Sequence, residues 1–218
     1  MPVKVDFTLT SKIAATLREG IVRGEIVPGT KLSEPKLAEQ FQTSRGPIRE
    51  AVRRLEMMGL VRHVAHEGVR VITLSLQEVV DVYHVREALE GKAAALAARN
   101  MTEDELNDLS SLFEMHCEHQ SNTGSYMQAD GDFDFHYKII QGSKNQFLIR
   151  QLCEELYHLI RMFRHRSARF EHRANVAIVE HQQLLYAIQQ RDEQLAEIMM
   201  RRHIARARED IAQSIRAL

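Results

Sequence analysis

Arg45, Arg49 and Arg53 recur at four-residue steps in a segment that reads as a helix. That spacing stacks side chains along one face, so three guanidinium forks point the same way. Ile48, Ala51, Val52, Leu55 and Met58 keep the helical period on another face and belong to a core. Ser44 stands where it can cap this helix, Pro47 suits its first turn, and Gly59 closes its C-terminus. Just upstream, Ser33 can cap a shorter helix with an apolar face of Leu37, Ala38 and Phe41, and Gln42-Thr43 forms the link. Two short helices joined tightly, with arginine at the start of the second, form the layout that puts a helix into the DNA major groove. An arginine run on a helix is ordinarily a solvated face. Here a two-stranded wing over Val61–Thr73, turning at Glu67-Gly68, supplies a second contact. The candidate DNA contacts are Lys36, Ser44, Arg45, Gly46, Pro47, Arg49, Arg53 and Gly68.

A second constellation lies further on. Asp132 and His136 are spaced i, i+4, beside the apolar Phe133, Ile139 and Ile140. His181 and His203 fall in later helical runs that must pack against each other. One carboxylate and three imidazoles converging inside a bundle could hold a divalent metal, zinc first, with nickel or manganese behind. Scattered residues of these types also occur with no ligand at all. Of the other eight histidines, His63, His66, His116, His119, His165 and His172 sit in polar stretches and read as surface residues.

The elements that must position these groups divide in two. Residues 1–73 carry twelve lysines and arginines against eight acids, a net +4, whereas residues 74–218 are net −5. A basic first part fits phosphate contact and an acidic remainder does not. After Ser75 there is no proline, and helical periodicity runs over about 76–100, 102–122, 125–141, 145–167, 172–190 and 192–217. Thr102 and Glu105 have the spacing of a capping box. The fold class is therefore mainly α: a winged helix-turn-helix with a small β-wing, then an all-α antiparallel bundle of about six helices.

Composition excludes several classes. No apolar run approaches membrane-spanning length and there is no signal-peptide layout, so a cytoplasmic location is expected. Cys117 and Cys153 lack CxxC spacing and are expected to be reduced. The absence of Trp and 6% aromatic content argue against a stacking platform for single strands. Arg161–Arg173 is rich in arginine but reads as a helix end and loop.

Residues 11–73 resemble the winged-helix domain of GntR-type bacterial transcription regulators. The match runs from Ile21 through Gly24-Glu25-Ile26-Val27-Pro28-Gly29, Leu32-Ser33-Glu34, Leu37-Ala38, Ser44-Arg45, Pro47, Arg49-Glu50-Ala51, Leu55-Glu56 and Gly59-Leu60-Val61 to the wing glycine Gly68. Many members carry a DNA-contacting arginine directly after the glutamate of the Leu-Ser-Glu segment. Here that position is Pro35, which cannot make the contact, with Lys36 next. Residues 76–210 resemble the helical FCD ligand domain of the FadR-like branch, whose metal-binding members show Asp-x-x-x-His and then one His on each of two later helices. The resemblance implies one divalent metal per subunit at Asp132, His136, His181 and His203, and an effector contact at Arg86. A surface salt bridge of Arg86 with Glu87 or Glu90 is the alternative.

The expected protein is a homodimeric regulator, a repressor, that reads a palindromic double-stranded operator. A small carboxylate effector would complete the metal's coordination. Two rivals stand beside it: a regulator for which the ion itself is the signal, and a metal-dependent hydrolase, which would have no use for a winged helix.

Overall fold

The computed structural model describes residues 8–124, 134–167 and 171–216. The chain separates into two compact units: Met1–Thr73 with Glu155–Met162, and Leu74–Glu154 with Phe163–Leu218.

In the first unit, α1 (Leu9–Val22) is followed by α2 (Glu34–Gln40), α3 (Arg45–Met57) and a hairpin of β1 (Val61–Val64) and β2 (Gly68–Val71). Helix α1 belongs to no element read from sequence, although Ile13, Leu17 and Ile21 recur every four residues and are almost fully buried. They pack with Leu37, Ile48, Val52 and Leu55 into one apolar core. Helix α3 ends as its glycine demands. Gly59 has φ +68, its N–H donates to Glu56 O at 3.0 Å, and Leu60 N–H donates to Leu55 O at 3.0 Å. These are the two bonds of a Schellman cap. The link between α2 and α3 repeats that geometry without a glycine. Gln42 sits at φ +50, its N–H donates to Glu39 O, and Thr43 N–H donates to Ala38 O.

The strands pair antiparallel with Val61 opposite Val71 and Val64 opposite Gly68. The turn is therefore Ala65–Glu67, one step earlier than Glu67-Gly68. His66 takes φ +62 and Gly68 takes φ +88. A third stretch joins this sheet, with Leu32 N–H donating to Val69 O and Val71 N–H donating to Thr30 O.

The second unit is helical: α4 (Leu76–Asn100), α5 (Glu103–Thr123), α6 (Phe135–Gly142), α7 (Gln146–Ile149), a π-helical stretch (Arg150–Glu155), the end of α8 (Tyr157–Ser167), whose residues up to Met162 belong to the first unit, α9 (Glu171–Gln189) and α10 (Glu193–Arg216). Helices α4 and α5 both start with complete capping boxes, Ser75 with Glu78 and Thr102 with Glu105. The single helix expected over 145–167 is instead broken by the π segment, whose wider turn shifts the faces on either side. Close packing of α4 on α10 depends on Gly91, where a Cβ would lie 2.6 Å from Arg201 Cγ. His116 is a correction to the surface reading. It is 1% exposed, because it continues the Leu109, Leu112 and Phe113 face of α5 into the core.

Candidate functional site

The first candidate surface is α3 with the wing. Ser33 and Ser44 occupy the N-cap positions of α2 and α3 with extended backbone, but neither side chain makes a capping hydrogen bond. Lys36, Ser44, Arg45, Gly46, Arg49 and Arg53 are exposed, and Pro47 is half-buried in the first turn of α3. Ile48, Ala51, Val52 and Leu55 are buried on the other side. Arg49 meets Glu34 at 3.4 Å with 60% of its side chain exposed, a surface pair worth little in high dielectric. Arg54 is not part of this face: its Nη1 donates to Ser11 Oγ at 2.9 Å and ties α3 to α1.

The second candidate site gathers three of the four residues expected at a metal. His136 comes from the first turn of α6, His181 from α9 and His203 from α10, and all three are buried. His136 Nε2 lies 3.2 Å from His181 Nε2, which lies 3.3 Å from His203 Nε2. Zn–N bonds of about 2.0–2.1 Å at tetrahedral angles put nitrogens about 3.3–3.4 Å apart, so the spacing fits that donor set. Asp132 lies outside the described residues.

The outer nitrogens are also held. His136 Nδ1 donates to Glu90 Oε2 at 2.7 Å, and His203 Nδ1 donates to Glu180 Oε2 at 2.7 Å. With protons on those outer nitrogens, both Nε2 atoms present lone pairs. His181 Nε2 faces both and has one proton at most to share between them. A cation between the three nitrogens would accept a lone pair from each. The His181 ring stacks on Phe135, with centroids 4.7 Å apart.

Asp134 is the N-cap of α6 and accepts from the His136 N–H at 3.0 Å. It also receives both terminal nitrogens of Arg164. Burial raises its carboxyl, but the charge and hydrogen bonds of Arg164 outweigh that and hold it below its ordinary range. Arg86 pairs with Glu90 as the alternative had it, but the pair is buried rather than on the surface, with Arg86 1% exposed. Its Nε donates to Glu90 Oε1 at 2.7 Å, and its guanidinium lies 4.7 Å from the centre of the Tyr83 ring. Its Nη1 is buried with no hydrogen-bond partner among the described residues. Burial pushes the Glu90 carboxyl up, but Arg86 and His136 prevail and keep it well below the usual range. Burial lifts the Cys153 thiol, in the π segment, with help from Asp134 and Glu90, to about 12.

Two family models match the chain: bacterial regulatory proteins of the gntR family over residues 9–71, and the FCD domain over residues 81–206. The chain belongs to the GntR family and carries an FCD domain. This GntR protein is 29% identical over 216 residues to the HTH-type transcriptional repressor RspR of Escherichia coli, covering 96% of this chain and 90% of RspR. It is 32% identical over 142 residues to the gluconate operon transcriptional repressor of Bacillus licheniformis, covering 63% of this chain and 56% of that one. The fold is also that of E. coli McbR/YncC, with TM-score 0.76 at 22% identity over 96% of this chain and 100% of that one. As a family member it is a DNA-binding transcriptional regulator, and its relatives are regulators rather than enzymes. No helix among the described residues is long and apolar enough to cross a membrane.

Proposed function

We propose that this GntR regulator is a homodimeric repressor whose operator affinity is set by a small organic acid bound at a metal in the helical unit. The observation that carries the reading is the buried triad together with a donor that is unpaired among the described residues. Three Nε2 atoms converge, and the buried Nη1 of Arg86, whose Nε binds Glu90, lacks a partner among the described residues. A buried charged donor without a partner costs several kcal/mol or finds a ligand. A carboxylate is the ligand that suits both a guanidinium and a metal. His136, His181 and His203 would hold the ion, with Asp132 as the proposed fourth ligand and zinc ahead of nickel and manganese. The ion would supply a fixed positive charge for the effector carboxylate. One relative is named for a gluconate operon, and gluconate is a hydroxy acid of the class proposed.

On the DNA side, Arg45 and Arg49 are proposed to read base edges. Lys36, Ser44, Gly46, Pro47, Arg53 and the Gly68 wing are proposed to follow the backbone. Two copies would place two recognition helices one helical turn apart on a palindrome. The test is operator binding by anisotropy with a panel of small carboxylates, with and without chelator, alongside elemental analysis of wild type and His181→Ala. The expected result is a metal lost in His181→Ala and an acid response lost with chelator while basal DNA binding survives. A chelated protein that responds fully to its acid would place the effector elsewhere.

A further inference from the structure

Glu90 and Glu180 do the same job from opposite sides of the triad. Each carboxylate spends one oxygen on an imidazole and the other on an arginine. Glu90 Oε2 accepts from His136 Nδ1 and Oε1 accepts from Arg86 Nε, both at 2.7 Å. Glu180 Oε2 accepts from His203 Nδ1 at 2.7 Å, and Oε1 accepts from Arg206 Nη1. The arginine fixes the carboxylate, the carboxylate fixes the ring, and the ring then has one orientation and one tautomer. An imidazole free to flip or to carry its proton on Nε2 would present a C–H or an N–H to the centre instead of a lone pair. His181 has a different support, the face of Phe135.

We propose that Glu90 and Glu180 are positioning residues that set the Nδ1–H tautomers of His136 and His203 and thereby set the affinity of the triad for a divalent ion. This rests on the reading that the triad holds a metal. The two supports differ in setting. Glu90 is fully buried with Arg86, whereas Glu180 borders a groove between α9 and α10 that Tyr186, Met199 and Arg206 also line. Replacing Glu180 therefore disturbs less of the core, and it is the cleaner probe.

The experiment uses the full chain, stripped with chelator and titrated with zinc against a chromophoric competitor. Wild type, Glu180→Gln, Glu180→Ala, Glu90→Gln and His181→Ala are compared, with ¹⁵N-imidazole NMR of the stripped proteins reporting tautomers. Loss of an outer partner of a ligating histidine lowers metal affinity about 10- to 100-fold. That loss is expected in both Glu180 variants, with unchanged helical content and with the His203 signals moving away from the Nδ1–H form. Zinc affinity and His203 tautomer both unchanged in Glu180→Gln and Glu180→Ala would overturn the positioning role, even if His181→Ala had lost its metal. A wild type that takes up no zinc would overturn the metal reading and this inference with it.

Discussion

Replacing Arg86 by methionine tests the buried centre of the helical unit most directly. Methionine keeps most of the stem volume and removes the guanidinium. What it leaves is a Glu90 carboxylate that is 1% exposed and has lost the charge 2.7 Å from its Oε1. Removing one partner of a buried ion pair costs about 3–5 kcal/mol, mostly because the other charge stays buried. Loss of the cation over Tyr83 adds about 0.5–2 kcal/mol. Against a total stability of about 5–15 kcal/mol, the variant should unfold at a markedly lower denaturant midpoint. The companion double variant, Arg86→Met with Glu90→Gln, leaves no stranded charge. It should therefore recover part of the loss, with a coupling of roughly 1–3 kcal/mol between the two sites. The assay is urea unfolding of metal-free protein followed by far-UV circular dichroism. A single variant within about 1 kcal/mol of wild type, with an additive double variant, would refute the claim that this pair is desolvated. Arg86→Met should also abolish any rise in midpoint caused by a carboxylate effector.

Three further outcomes follow from the first unit. Arg49→Ala should weaken operator binding about 5- to 150-fold, the worth of one bidentate base contact, without changing the melting curve; unchanged binding in a gel-shift titration would displace Arg49 from the recognition face. The Glu19 carboxyl is raised by burial but lowered more by Arg161 and Arg18, so it stays below its ordinary value. Its stabilisation is therefore present above the unfolded pKa of about 4.3 and is lost as pH falls through the lower folded value. Glu19→Gln should flatten the acid limb of stability against pH, and an unchanged limb would contradict the assignment. Gln42→Gly should raise stability by roughly 1 kcal/mol in the same unfolding assay, since glycine carries no Cβ penalty at φ +50.

What the chain reveals by itself is what local spacing controls. The cap at Thr102 and Glu105, the helix end at Gly59 and the arginine face of α3 all involve residues within a few positions of each other. The Ser75 and Glu78 box was equally local and equally readable. His116 misleads because its sequence neighbours are polar, and only the i−3, i−4 and i−7 spacing to Phe113, Leu112 and Leu109 shows its core face. The supports of the triad were out of reach for a different reason. Glu90 is 46 residues from His136, and Glu180 is 23 from His203, so their pairing depends on how helices pack. A weak signal existed for one of them: Glu90 follows Arg86 by four residues, on the same face of α4. Asp134 caps α6 and binds Arg164, a role fixed by a residue 30 positions away.

The charges around the triad bear on what it can bind. Glu90 is matched by Arg86, Asp134 by Arg164 and Glu180 by Arg206. These acids can orient groups, but each has its own counter-charge and none is left over to neutralise a metal. Three neutral imidazoles contribute no charge either. With Asp132 as the proposed fourth ligand, a divalent ion would still leave one positive charge in a buried site. Moving that charge out of water is costly unless an anion accompanies it. The Nη1 of Arg86, without a partner among the described residues, asks for an acceptor from the same interior. A carboxylate answers both demands at once, whereas a neutral sugar or amide answers only the hydrogen bond. On the proposed reading, selectivity for acids over their uncharged analogues would follow from the pairing of Glu90, Asp134 and Glu180 with arginines.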